Sequence, residues 1–209
     1  MIHFPDSRLE GIALSCVRGE NLLFDSLDFS VQAGEICQVF GANGAGKTSL
    51  LRILCGLALP ESGQVLWNGV DIDEQREVFT SSLGYVGHQN GIKGELNPLE
   101  NLAAIRALTA TRDDMDAESA LENVGLYGYE DIPCRYLSAG QKRRVALSRL
   151  LLTAAQCWIL DEPVTALDAQ GVADFQKVLE NHAKCGGLVL ITSHQALTFG
   201  SIETRRIEL

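Results

Sequence analysis

The sequence predicts an α/β fold in which a mostly parallel β-sheet is flanked by helices. Five short apolar runs predict strands, at 36–40, 63–67, 83–86, 157–160 and 188–192, and several of them are too apolar for a half-exposed sheet, as strands buried on both faces of a parallel sheet are. Apolar residues at helical spacing occur between these runs, at 47–57, 98–109, 115–124, 140–154 and 170–184. Because helical patterns dominate 91–154, we expect a helical subdomain there, inserted into an α/β core made of 1–90 and 155–209.

Composition and charge narrow the class of protein. The 209 residues suffice for one sizeable core with an inserted subdomain. A balance of 17 basic to 27 acidic residues gives a net charge of −10, which argues against nucleic acid as the main partner. No apolar run approaches the ~18 residues that cross a bilayer, and the N-terminus lacks the basic and apolar segments of a signal peptide. We therefore expect a cytoplasmic protein.

The six cysteines are scattered along the chain, at positions 16, 37, 55, 134, 157 and 185. They form no C-x-x-C pair and have no histidine at metal-ligand spacing. Cys37 and Cys157 lie inside apolar runs, where a thiol packs as a small hydrophobic group. We expect buried thiols in a reducing compartment rather than a redox or metal site.

The first predicted strand and helix flank a glycine-rich stretch that fits G-x-x-x-x-G-K-[ST], the phosphate loop of nucleoside-triphosphatases. The predicted strand before this stretch and the predicted helix after it favour a phosphate loop over an accidental glycine-rich turn, which requires neither. Lys47 is expected to reach the β- and γ-phosphates, and the Thr48 hydroxyl to hold Mg²⁺. The predicted nucleotide-binding residues here are Gly41, Ala42, Asn43, Gly44, Ala45, Gly46, Lys47, Thr48 and Ser49.

The helix predicted at 98–109 has a clear start. Asn97 can cap it, Pro98 can be its first residue and Glu100 can complete a capping box. Around this start lie four apolar side chains, which either seat a short helix of a partner or pack inside the subdomain: Ile92, Leu96, Leu99 and Leu102.

The helix predicted at 140–154 is preceded by a second capping box, Ser138 with Gln141. Three basic side chains follow at positions 142–144, and they oppose the positive end of the helix dipole. The capping box alone predicts only an ordinary helix start, whereas the basic cluster indicates an anion at this end.

The strand predicted at 157–160 ends in Asp161 and Glu162, which places two carboxylates at the carboxyl edge of the sheet, where α/β proteins bind ligands. Asp161 could complete the coordination of the Mg²⁺ that Thr48 holds. Glu162 could accept a proton from the water that attacks the γ-phosphate. Alone, such a pair is often only a solvated strand end, but the phosphate loop favours the functional interpretation.

Taken in order, these motifs resemble the ATP-binding subunits of ABC transporters, over essentially the whole chain. The matching segments are 41–48, Gln89, 137–141, 160–163, 166–168 and His194, and Leu-Ser-x-Gly-Gln is specific to that family. The resemblance implies a phosphate-loop NTPase core with an antiparallel β part near the N-terminus. It also implies a head-to-tail homodimer, in which each ATP lies between the phosphate loop of one chain and Ser138, Gly140 and Gln141 of the other.

The same resemblance implies further site residues. Gln89 would sense Mg²⁺ and the attacking water, Asp168 would bridge the two chains, and His194 would contact the γ-phosphate. Taken alone, His194 also fits a surface or core-edge histidine. Arg18 occupies the place where the family usually has an aromatic ring against adenine, and a guanidinium can stack on a purine too. Ala139 replaces a commoner glycine, which a negative φ would tolerate.

Several stretches are similar to one branch of the family, the ATP-binding subunits of bacterial cytochrome c maturation systems, described as haem exporters: 85–89 followed by 92–102, 136–147 and 161–168. That likeness implies integral membrane partner subunits, a peripheral place on the cytoplasmic face of the inner membrane, and ATP hydrolysis that releases a haem-loaded chaperone. The histidines at 3, 88, 182 and 194 form no haem-ligand pattern. The alternatives are the motor of another small-substrate exporter, a soluble ABC ATPase acting on ribosomes or DNA, and a phosphate-loop kinase.

Overall fold

Among residues 3–194, 196–200 and 202–209, which a computed structural model describes, the strands form two sheets. Met1 and Ile2, which belong to the N-terminal segment considered in the sequence analysis, lie outside these residues. In chain order the elements are β1 (Arg8–Arg18), β2 (Asn21–Gln32), β3 (Ile36–Phe40), α1 (Lys47–Leu54), β4 (Ser62–Trp67), β5 (Val70–Asp71), α2 (Arg76–Ser82), β6 (Leu83–Val86), α3 (Pro98–Arg106), α4 (Ala117–Asn123), a 3₁₀ turn (Cys134–Tyr136), α5 (Ala139–Leu152), β7 (Cys157–Leu160), α6 (Ala169–Lys184), β8 (Leu188–Thr192) and β9 (Thr204–Glu208).

The larger sheet has the strand order β6-β7-β8-β3-β9, and each neighbouring pair in it is parallel. Every residue of β7 and β8 is buried, which explains why their sequences are continuously apolar. Parallel strands end at the same edge of the sheet. The segments that follow β3, β6, β7 and β8 therefore meet there, and they carry the phosphate loop, Gln89, Asp161 and His194.

The smaller sheet is antiparallel, with the order β2-β1-β4-β5, so the antiparallel part expected near the N-terminus is confirmed. The apolar runs did not delimit β1 and β2. Bulges interrupt the pairing of β1 between Gly11 and Val17, and Ala13 adopts a positive φ of 47°. Such bulges break the alternation of apolar and polar residues by which a strand is predicted.

Side chains alternate across β7 and β8 into two hydrophobic clusters. Trp158 and Leu160 face the helices α3 to α6, whereas Cys157 and Ile159 face α1 and the smaller sheet. All six cysteines are described and are free thiols, five buried and Cys185 half-buried. Burial raises the pKa of the Cys37 thiol to about 12, which keeps this thiol protonated and unreactive.

Three of the four apolar residues around the start of α3 pack inside the protein. Leu102 is wholly buried, and Ile92 and Leu99 pack against the cluster that faces α3 to α6. The predicted capping box is confirmed, since Asn97 and Glu100 each bond the backbone N–H of the other. Ile92, Leu99 and Leu102 therefore support the packing of this region, whereas half-buried Leu96 stays a candidate for contact with a partner. Within the described residues, none of the helices is both long and apolar enough to span a bilayer.

His182 is a buried histidine in the last turn of α6. Its ring stacks on Trp158 with the centroids 3.6 Å apart and the planes at 9°. Its Nε2 lies 3.0 Å from the Gln156 carbonyl oxygen, which can only accept, so Nε2 carries the proton of a neutral ring. Burial lowers the pKa of His182 to about 3, because the charged form cannot be solvated there.

Because His182 is buried in its neutral form, we expect the free energy of unfolding to fall in acid. Between pH 6.5 and pH 3 the unfolded chain binds a proton at His182 that the folded chain excludes, so the free energy of unfolding rises with pH in this window. From pH 7 to pH 5 the loss is about 2 kcal/mol. His182→Phe should keep the stack and remove this part of the pH dependence in urea titrations at the two pH values. The same change at exposed His88 is the control, and an equal flattening there would contradict the assignment.

Candidate functional site

The phosphate loop joins β3 to α1. Gly46 caps α1 with φ 103°, and a Cβ at this position would lie 3.0 Å from Leu23 Cβ, so this turn requires glycine. Lys47 is buried, and its Nζ donates to the carbonyl oxygens of Gly41 (2.7 Å) and Ala42 (3.0 Å). No described side chain caps α1, and its first turn has no acidic residue. The N–H groups at this helix start therefore have no capping side chain among the described residues, as an anion site requires.

A cavity of about 210 Å³ opens beside the loop. It brings together most of the predicted phosphate-loop residues with Arg18, at the end of β1, and with Glu162. The residues that line it are Arg18, Leu23, Asn43, Gly44, Gly46, Lys47, Thr48, Ser49 and Glu162. The positive charges of Arg18 and Lys47 and the start of α1 would favour a polyphosphate in this cavity.

Asp161 follows β7 and is buried between two hydroxyl groups. Its Oδ2 accepts from Thr48 Oγ1 at 2.9 Å, and its Oδ1 accepts from Thr192 Oγ1, also at 2.9 Å. The pairing of β7 with β8, with Leu160 opposite Ile191, places Thr192 beside it. The carboxylate is thus fixed at both oxygens, one of them at the phosphate loop.

Glu162 is held in an unusual backbone conformation, with φ 49°, and its N–H donates to Thr192 Oγ1 at 2.8 Å. Its Oε1 lies 2.9 Å from His194 Nε2, and Thr165 Oγ1 donates to Oε2 at 3.4 Å. The Glu162 side chain is 17% exposed, and that of His194 is 53% exposed. A carboxylate that lines the cavity and contacts a histidine can exchange a proton with water there.

Gln89 lies beyond β6 and is exposed. Together with Thr48 and Asp161 it lines a second cavity, of about 570 Å³. These three side chains offer hydroxyl, carboxylate and amide oxygens, the hard donors that suit Mg²⁺. Within the described residues, no group of three or more His, Cys, Asp or Glu could hold a metal. The donor set fits an ion that is shared with phosphate oxygens rather than enclosed by protein.

Arg143 links α5 to the site, a role that is not evident from the sequence, where Arg143 is one of three adjacent basic residues. The side chain leaves α5 and is 4% exposed. It donates to the carbonyl oxygens of Gly87 (2.8 Å), Asp161 (2.7 Å) and Pro163 (3.0 Å), and to Asn90 Oδ1 (3.1 Å). Burial lowers its pKa, and the Asp161 carboxylate opposes that shift. One guanidinium thus joins α5 to the segments after β6 and β7.

The start of α5 has the predicted capping box. Ser138 Oγ accepts from Gln141 N at 3.2 Å, and Gln141 Oε1 accepts from Ser138 N at 2.8 Å. Gly140 is required by close approach, since a Cβ would lie 2.6 Å from the Ala166 carbonyl oxygen. Ala139 is a helical residue without a positive φ, so the alanine is tolerated. Ser138, Gly140 and Gln141 are absent from the described linings of both cavities.

Asp168 caps α6 through Oδ1, which accepts from Gly171 N at 3.0 Å and pairs with Arg144 at 2.8 Å. Arg144 also donates to the Val124 carbonyl oxygen, and Lys142 to that of Arg135. The basic residues 142–144 therefore have acceptors within the chain. The anion expected there from the sequence is not needed to explain them.

Comparison with known proteins identifies the class. A family model described as "ABC transporter" matches residues 24–165, more than half of the chain, and the chain belongs to that family. It is an ATP-binding cassette of the kind that hydrolyses ATP. A solved "Putative ABC transporter (ATP-binding protein)" from Pyrococcus furiosus superimposes with a TM-score of 0.82 at 25% identity, covering 97% of both chains.

The comparison also points to a particular kind of subunit. The chain is 50% identical over 193 residues to "Cytochrome c biogenesis ATP-binding export protein CcmA" of Methylococcus capsulatus, covering 92% of this chain and 93% of that protein. It is 48% identical over 204 residues to the protein of the same name from Hahella chejuensis, covering 96% and 95%. The resemblance inferred from the sequence is thereby confirmed.

Proposed function

We propose that this chain is the motor subunit of an export system in cytochrome c biogenesis, where ATP hydrolysis powers the release of a haem-loaded chaperone. The observation that carries the proposal is the meeting of the phosphate loop, Asp161, Glu162 and His194 at one edge of the sheet, in a chain that matches the CcmA proteins over nearly its full length. Those relatives favour it over another small-substrate exporter or a soluble ABC ATPase.

ATP binding uses the phosphate loop. The N–H groups of residues 41–49 and the Lys47 ammonium hold the β- and γ-phosphates, which replace the carbonyl partners of Nζ. Arg18 lines the same cavity and stacks on the adenine or pairs with a phosphate. The Thr48 hydroxyl, the Asp161 carboxylate and the Gln89 amide would hold Mg²⁺, which neutralises charge on the phosphate oxygens when bound.

Hydrolysis uses the acidic residue that follows Asp161. Glu162 takes a proton from the attacking water, and its carboxylate contacts His194 as long as no γ-phosphate is bound. His194 is exposed enough to exchange this contact for one to the γ-phosphate, where an imidazole N–H stabilises the developing charge. The water oxygen bonds to the γ-phosphorus, and the bond between the γ-phosphorus and the oxygen that bridges it to the β-phosphate breaks. ADP and phosphate then leave.

A second copy of the chain completes the site. Ser138, Gly140 and Gln141 do not line either of the two cavities described above, so we assign them to the γ-phosphate of ATP on a partner chain. Asp168 pairs with Arg144, which lies in the same helix α5 as Gly140 and Gln141, and we assign Asp168 to a bridge between the two chains. Residues 91–154 then act as a helical subdomain that meets integral membrane subunits, at the cytoplasmic face of the inner membrane.

The proposal is tested in a bacterium whose own gene for this subunit is deleted. The wild-type chain should restore haem-containing c-type cytochromes, measured by peroxidase staining of membrane proteins, and Glu162→Gln should not. Glu122→Gln, the same change at an exposed position of α4, should restore them fully. Normal c-type cytochromes in the deletion strain would refute the role in cytochrome c biogenesis. Restoration by Glu162→Gln would refute the need for hydrolysis.

A further inference from the structure

β8 ends in a hydroxyl group where the pattern of the strand calls for an apolar side chain. Leu188 and Leu190 face α1 within a hydrophobic cluster, and Thr192 continues the same face. It is wholly buried, at 0% exposure. A valine has the same shape and the same preference for strands, whereas a buried hydroxyl is unfavourable unless it is hydrogen-bonded. The hydroxyl is therefore present for its hydrogen bonds and not for packing.

The Thr192 hydroxyl uses both of its capacities on the two acidic residues of the site. Its proton goes to Asp161 Oδ1 at 2.9 Å, because a carboxylate can only accept. Its oxygen accepts the Glu162 N–H at 2.8 Å. One atom thus touches the side chain of the proposed Mg²⁺ ligand and the backbone of the proposed base.

Each of these contacts restricts one neighbour. With Oδ1 held by Thr192, the Asp161 carboxylate is fixed so that Oδ2 stays at the Thr48 hydroxyl. Glu162 has φ 49°, in a region that non-glycine residues rarely adopt, and its N–H is anchored in that conformation. Without the hydroxyl, the carboxylate could rotate and the turn could relax.

We propose that Thr192 is a positioning residue for ATP hydrolysis. It orients the Asp161 carboxylate toward the bound Mg²⁺ and fixes the backbone turn from which the Glu162 side chain reaches the attacking water. This inference rests on the proposed function. Positioning groups of this kind change metal affinity or activity by ~10- to 100-fold when removed. Loss of the Thr192 hydroxyl would weaken Mg²⁺ binding and lower kcat, and it would change the affinity of the phosphate loop for the nucleotide little.

The test compares Thr192→Val, which keeps the shape, with Thr192→Ser, which keeps the hydroxyl. The Val variant should lower kcat ~10- to 100-fold and raise the Mg²⁺ concentration for half-maximal rate, and the Ser variant should recover most of both. Thr204→Val, the same change at an exposed residue of β9, is the control and should behave as wild type.

A second readout does not depend on turnover. A non-hydrolysable ATP analogue should raise the Tm of the Val variant as it does the wild type in EDTA, but the additional rise from Mg²⁺ should be lost. If the Val variant does not fold, Thr192→Cys, with a weak donor of similar size, is measured in the same way.

The outcomes separate the two proposals. A wild-type chain that hydrolyses no ATP would overturn the proposed function. An active wild type, with a Val variant of unchanged kcat, Mg²⁺ dependence and thermal shift, would overturn only the role of Thr192. A Ser variant as impaired as the Val variant would assign the effect to packing and would overturn it as well.

Discussion

Glu162→Gln should lower the kcat of ATP hydrolysis by ~10²- to 10⁴-fold, because a glutamine of the same shape cannot take the proton of the attacking water. The Thr192 and Thr165 contacts can persist, so the turn should keep its conformation. Phosphate release by the purified chain measures the rate, with Glu122→Gln as the matched control. A rate equal to that of the wild type would place the base elsewhere.

The same variant should reveal the two-chain site. ATP can still bind, since the phosphate loop and the start of α5 are unchanged, and the repulsion between carboxylates and γ-phosphates falls. Glu162→Gln should therefore be an ATP-dependent dimer by light scattering, whereas the wild type with ATP should be mostly monomeric at steady state. Adding Ser138→Arg should abolish the dimer, because a bulky side chain would enter the partner's phosphate site. A variant that stays monomeric with ATP would contradict a dimer of the isolated subunit.

Lys47→Ala should lower kcat/KM for ATP by ~100- to 1,000-fold, because a preorganised cation that stabilises the transferring phosphoryl group is removed. The fold should survive. Nζ donates only to two carbonyl oxygens of its own loop in the described structure, and no carboxylate loses a partner there. Its removal takes one buried charge from the protein, so the Tm should change little.

Rates and melting are measured on the same preparations, and binding of a fluorescent ATP analogue separates lost affinity from lost chemistry. Lys177→Ala, at an exposed position of α6, is the control and should keep wild-type kinetics. Unchanged hydrolysis by Lys47→Ala would remove the phosphate loop from the site. A collapse of Tm would give this lysine a structural role instead.

The parallel sheet was predictable because burial on both faces leaves an uninterrupted apolar run, as in β7 and β8. The strand β1 was not delimited, since its bulge near Ala13 destroys the alternating pattern. The edge strand β9 has only Ile207 buried, which leaves too weak a signal.

The positions of Lys47 and Asp161 at the edge of the sheet were predictable because a motif fixes each of them relative to a strand end, whereas His194 was expected only from the family resemblance. Thr192 and Arg143 were missed because their roles depend on which strand or turn lies beside them in space. Thr192 carried one usable signal, a hydroxyl that continues the apolar face of β8. Arg143 carried none beyond its charge, since its acceptors lie in segments far along the chain.

The four hydrogen bonds of Arg143 also make the protein stiff in one particular direction. Its acceptors belong to two segments, 87–90 and 161–163, and all of them are reached from one side chain on α5. Sliding α5 along its axis by a single residue, about 1.5 Å, would stretch the bonds beyond hydrogen-bonding distance. Bonds from a charged donor are each worth about 1.5–3 kcal/mol, so the helix and both segments are expected to travel together. A displacement imposed on the far side of residues 91–154 would then be transmitted through α5 and Arg143 to the turn that carries Glu162.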